Sequence, residues 1–244
     1  MAAGVVIFAA LLSAIVTAMF GLAGGSIFFA MVTWVLSAKE AIPLHSLTQL
    51  MSNTTRLLAF WDTIRWEIVG YFAVLSLLGA YLGSICFQYF NAEALEVSVG
   101  IFVLVTIFLP KKNGKALSKG MIVLLGFLSS FMGMIVAVTG PLVSAFFIVN
   151  GITKEEMVST KSVCQAITQV AKMLMFASVI DFDFAQYGNL MIYLALATLL
   201  GTWIGRKLIS EISDSQYDKL NNIILGLVAL SMILKPLFSW FSFI

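Results

Sequence analysis

Charge is what this sequence has least of. Asp, Glu, Lys and Arg make up 11% of 244 residues, against 61% hydrophobic, and the mean hydropathy is +1.03. A soluble domain carries roughly 25% charged residues, and a chain of this length has too much surface to be covered by so few. A soluble fold is excluded, and an all-α polytopic membrane protein is expected. The net charge of +2 leaves no basic surface for nucleic acid. With one histidine and two cysteines, Cys86 and Cys164, both in apolar segments, there is no metal-ligand cluster and no disulfide framework. Neither HExxH nor GxSxG occurs, so no enzyme activity, cofactor or metal is expected. The N-terminus has neither a basic n-region nor a clear cleavage site, and its first apolar segment is expected to remain as a membrane helix.

What is present is a series of about eight hydrophobic segments, near 4–36, 41–61, 67–90, 94–109, 119–150, 156–179, 185–208 and 219–243. A span needs roughly 20 apolar residues. The first and fifth are too long for one span and too short for two, and each holds a break, "GLAGGS" at 21–26 and "VTGPL" at 138–142. Such breaks are tolerated inside a bilayer only where protein or a water-filled cavity satisfies the freed backbone.

A basic linker at 111–118 divides the chain into a first membrane repeat, 1–110, and a second, 119–244. At an offset of 116, Gly24 falls on Gly140, Gln49 on Gln165, Arg56 on Lys172, Phe60 on Phe176 and Tyr71 on Tyr187. At an offset of 122, "GAYLG" (79–83) meets "GTWIG" (201–205). Both are GxxxG, read as close helix packing. If the halves are inverted relative to each other, Arg65, Lys154, Arg206, Lys207 and Lys219 share a side with the linker lysines, leaving only Lys39 and Lys235 opposite. That bias places the linker in the cytoplasm and favours inverted over parallel halves.

Within this apolar chain, "TQLMSNTTRLLAF" (48–60) is conspicuously polar. Positions i, i+4 and i+7 share a helix face. Gln49, Asn53 and Arg56 have that spacing, and so do Gln165, Gln169 and Lys172. His45 lies one turn earlier, and Ser52 and Thr168 flank the stripes. Amides donate and accept, and Arg or Lys supplies positive charge, a set suited to an oxyanion. The breaks add helix starts at Gly24, Gly25 and Ser26, and at Thr139 and Gly140, which favour anions. Two plainer readings stand beside this one. Polar residues also tie membrane helices together, and Arg56 and Lys172 lie near enough to segment ends to snorkel.

The order of these motifs resembles the TauE/SafE family of sulfite exporters. "GLAGGSIFFAMVTWVL-SAKEAI", "WDTIRW" and "GYFAVLSLLGAYLGSICF" carry the likeness in the first half, and "VTGPLVSAFFIVNGITKEEMVSTKS" and "VIDFDF…LLGTWIGRKL" in the second. The resemblance implies a secondary transporter of sulfite, sulfoacetate or related organosulfonates in a bacterial inner membrane. Its partners are then a small anion and the lipid bilayer, with a homo-oligomer compatible. A passive anion channel and a structural subunit of a membrane complex are the alternatives.

Overall fold

A computed structural model of the chain describes residues 2–20, 24–59, 61–108, 118–147, 153–208 and 214–241. Most of the 111–118 linker, and residues 21–23 of the first glycine break, lie outside the described residues. The described regular structure is helical throughout. In the first half it comprises α1 (Ala2–Phe20), α2 (Gly24–Val32), α3 (Ala38–Ala59), α4 (Trp66–Ala73), α5 (Ser76–Tyr89) and α6 (Ala92–Phe108). The second half holds α7 (Lys119–Val136), α8 (Gly140–Phe147), α9 (Lys154–Ser178), α10 (Gly188–Leu208) and α11 (Asp214–Phe241). Single 3-10 turns, Trp61–Thr63 and Ala185–Tyr187, precede α4 and α10.

The polarity of the bundle is that of an all-α polytopic membrane protein. Ser129, Ser130, Ser159, Thr160 and Lys172 are buried, while Leu78, Leu196, Leu199, Leu200, Leu227 and Leu230 are exposed. In water this distribution would be inverted. The stretches Trp66–Tyr89, Lys119–Val136 and Ala185–Gly205 are each long and apolar enough to cross a bilayer. Exposed Trp34, Trp61, Trp66, Tyr89 and Trp203 sit at or near helix ends, where amphipathic rings meet a membrane–water interface.

The first and fifth apolar segments each divide into two helices, α1–α2 and α7–α8, and α2 and α8 begin at Gly24 and Gly140. α2 lies against α1, with Gly24 so close to Thr17 and the Ser13 carbonyl that a side chain there has no room. α8 rests mainly on α9. The third segment is also divided, at Val74–Leu75, which its unbroken apolar run does not announce. The starts of α3 and α9 are fixed by equivalent residues. Thr153 and Glu156 form a capping box, each side chain meeting the other's backbone N–H. At Ser37 the Glu40 carboxylate accepts from both the backbone N–H (3.1 Å) and the hydroxyl (2.7 Å).

Packing follows the glycines. An added Cβ at Gly79 would press on the carbonyl oxygen of Phe127, and at Gly83 on that of Phe131 (2.6 Å). The corresponding neighbours of Gly201 and Gly205 are the carbonyl oxygens of Leu11 and Ile15, each 2.5 Å away. The GxxxG motifs thus seat α5 on α7 and α10 on α1, both pairs parallel. At the centre α3 packs on α9 in the opposite sense. The Thr63 hydroxyl, just past the end of α3, donates to Ser159 near the start of α9 (3.0 Å), and Arg65 pairs with Glu156 (3.2 Å). α6 and α11 are likewise antiparallel, joined by Lys235 and Glu96 at 2.8 Å. One end of the bundle therefore gathers Arg65, Glu67, Lys119 and Glu156, and the other Glu40, Glu96, Tyr187 and Lys235.

Candidate functional site

The antiparallel crossing of α3 and α9 turns their polar faces toward one another beneath the starts of α2 and α8. The cavity between them has a volume of about 20 Å³, room for about one water. From α3 come His45, Gln49 and Arg56, and from α9 Gln165 and Gln169. The start of α2 contributes Gly25, and the α7–α8 break Val138, Thr139 and Gly140. Thr17 reaches in from α1. No carboxylate is among these residues.

The glycines at the helix starts make room for amides. A Cβ at Gly25 would come within 3.0 Å of His45 Nε2 and 3.4 Å of the Gln49 amide nitrogen. One at Gly140 would come within 3.0 Å of the Gln165 amide nitrogen. Each half thus brings one glutamine amide against a helix start, where backbone N–H groups are unpaired and a partial positive charge accumulates.

Arg56 is the cation among the lining residues. Its Nε donates to the Ser52 carbonyl (3.3 Å), and Nη2 donates to Ser52 Oγ (3.2 Å) and Asn53 Oδ1 (3.0 Å). These bonds draw the guanidinium back along α3, so Ser52 and Asn53, both buried, position Arg56 and do not themselves line the cavity. Thr168 is also outside the lining, its hydroxyl donating to the Cys164 carbonyl (3.2 Å). Gly24 and Ser26 are buried in α2 beside it.

Lys172 is placed differently from its partner in the other stripe. It is wholly buried, which rules out snorkelling, and its Nζ donates to the Ala137 carbonyl (3.3 Å). Ala137 closes α7 with φ 56° and ψ −52°, and the Val138 N–H donates to the Val136 carbonyl, a positive-φ γ-turn. Lys172 therefore braces the break and does not line the cavity. The residues whose role sequence reasoning missed are Thr17 and Val138. Thr17 had a signal, since Ser13 and Thr17 form an i, i+4 polar pair in an apolar helix. Val138 had none beyond its place in the break.

A family model described as "Sulfite exporter TauE/SafE" matches residues 6–232. No curated protein and no solved structure matches the chain.

Proposed function

The chain belongs to the TauE/SafE family of sulfite exporters, and we propose that it carries small sulfur oxyanions (sulfite, sulfoacetate or a related organosulfonate) across a bacterial inner membrane by alternating access. The observation that carries this reading is the pairing of Gln49 and Gln165, one from each of two antiparallel helices, around a cavity that includes Arg56 and two helix starts and, among the described residues, no carboxylate. Such a lining offers donors to an anion on several sides.

The halves are read as an inverted duplication. In support, the 116-residue offset relates the starts of α2 and α8, the starts of α3 and α9, and the carbonyls under the two GxxxG motifs. The end holding Arg65 and Lys119 also holds the start of α9, the distribution that puts the basic side in the cytoplasm. Room for about one water is too little for an oxyanion of four or more heavy atoms. Loading therefore parts α3 from α9, and rocking one half against the other exposes the cavity first on one side and then on the other.

The test is flux in proteoliposomes of the purified protein, with sulfite, thiosulfate, sulfoacetate, taurine and sulfate as probes. Saturable movement of one or more sulfur oxyanions is expected, with accumulation against a gradient when a driving ion is supplied. Flux that never concentrates its anion would identify a passive channel, and no flux of any probe would reject the reading.

A further inference from the structure

Four buried polar atoms on residues that line the cavity have no hydrogen bond. They are the Thr17 hydroxyl, the Gln169 carbonyl oxygen and both ring nitrogens of His45. His45 is 1% exposed and packed against Phe28 and Phe29, with ring centroids 6.0 and 6.5 Å away. Nε2 lies beside Gly25 without forming a sound bond. A buried polar group left unmade is costly, and imidazole is the side chain whose ordinary titration falls near neutral pH.

The corresponding residue of the other half, 116 positions on, is Lys161. Its amine donates to Ser144 Oγ at 2.6 Å and does not line the cavity. One half thus holds a bonded cation where the other holds an unbonded base facing the cavity.

Resting on the anion-transport reading, we propose that His45 is the site at which a proton travels with the anion, Thr17 and Gln169 completing a proton-linked subsite. The charged groups facing it are few. Lys172 comes from α9, and Arg56 lies three turns further along α3. α1 and α2 carry no charged residue, nor does α10 between Gly188 and Gly205, and Glu96 of α6 is paired with Lys235. Lys172 repels a further positive charge there until an anion enters the cavity. Once it does, anion and proton each favour the other's binding by the same factor. The proton comes from water on the open side, occupies a ring nitrogen, and leaves to water on the other side with the anion. Only an N–H bond forms and breaks.

The experiment compares wild type with His45→Gln in proteoliposomes, using sulfite as probe and a trapped pH dye. Sulfite itself titrates near neutrality, so the quantity read is the wild-type to H45Q flux ratio at each pH. The ratio is expected to rise at least about threefold from pH 8 to pH 6, as the entering anion draws a proton onto the ring. An imposed pH gradient should concentrate sulfite in wild type and not in H45Q. Proton uptake on adding sulfite to the detergent-solubilised wild type, beyond that of sulfite alone, is measured in parallel and does not depend on H45Q folding. A constant ratio, equal accumulation by H45Q, or wild-type binding without extra proton uptake would overturn the proposal while leaving anion transport standing. Absence of any wild-type flux or binding would remove both.

Discussion

The two halves of the chain seat their GxxxG helices alike but differ in cavity chemistry. Gly79 and Gly83 meet Phe127 and Phe131 just as Gly201 and Gly205 meet Leu11 and Ile15. In the cavity the likeness lapses. Arg56 lines it whereas Lys172 braces the α7–α8 break, and His45 is unbonded whereas Lys161 is held by Ser144. Packing between helices is constrained by shape, and the two GxxxG pairs satisfy the same one. Polar chemistry is constrained by what enters the cavity, and on the proposed reading one anion between two halves needs no symmetrical set of ligands. The contrast separates scaffold from site without reference to either alone.

The scaffold side of that comparison breaks most severely at the glycines. Gly79→Val and Gly201→Val each push a branched side chain into a neighbouring helix's carbonyl, and each is expected to cost about 3 kcal/mol, at the upper end for overpacking. Thermal unfolding in detergent should show similar losses for the two. Gly70→Ala is the control, since nothing lies within 4 Å of an added Cβ there, and helix propensity favours alanine. Unequal losses at Gly79 and Gly201 would mean that the two helix pairs are not equivalent in energy. Next in size is the ion pair across α6 and α11. Lys235 bonds both Glu96 oxygens (2.8 and 3.0 Å) as well as the Thr33 carbonyl. Its side chain is 25% exposed and that of Glu96 9%, so Lys235→Met is expected to cost about 2 kcal/mol, less than for a fully buried pair. Glu96→Gln in the same background should recover part of the loss, and a double-mutant cycle reads the coupling.

On the site side, Gln49→Ala and Gln165→Ala are each expected to lower sulfite flux about tenfold, the worth of one hydrogen bond to a charged group. Both proteins should insert and unfold as wild type does. Loss confined to Gln165→Ala would shift the anion toward the start of α8 and make the cavity one-sided. Wild-type flux in both would remove the two amides from the mechanism.

The helical segments and both breaks were legible because bilayer length and glycine punctuation leave a strong mark on composition. The stripes were legible because a polar face at helical spacing is conspicuous among leucines. His45, Gln49, Arg56, Gln165 and Gln169 lie along one cavity, as i, i+4, i+7 spacing on two facing helices allows. Spacing places a Cβ on a face and says nothing of where a long side chain ends. Asn53 shares the stripe but is turned to Arg56, and Lys172 reaches the Ala137 carbonyl, which lies 35 residues away in the chain. The break at Val74–Leu75 had no sequence mark, since neither glycine nor proline interrupts the apolar run there.

The smallest expected effect concerns the entrances to α3 and α9. Ser37-x-x-Glu40 and Thr153-x-x-Glu156 stand 116 residues apart and open the two helices that carry the stripes. Only Thr153 accepts from the backbone N–H of its N3 residue, Glu156 (3.2 Å), while the Ser37 hydroxyl spends its proton on the Glu40 carboxylate. Thr153→Ala therefore removes a true cap and is expected to cost about 1 kcal/mol. Ser37→Ala removes only a side-chain bond, since the Glu40 carboxylate keeps the Ser37 backbone N–H and the Tyr187 hydroxyl (3.1 Å), and should cost less than half as much. Hydrogen exchange at the first turns of α3 and α9 distinguishes the two, with faster exchange in Thr153→Ala confined to α9. Equal losses would mean that both helix starts depend on the glutamate alone, and that the hydroxyl difference between the halves carries no energy.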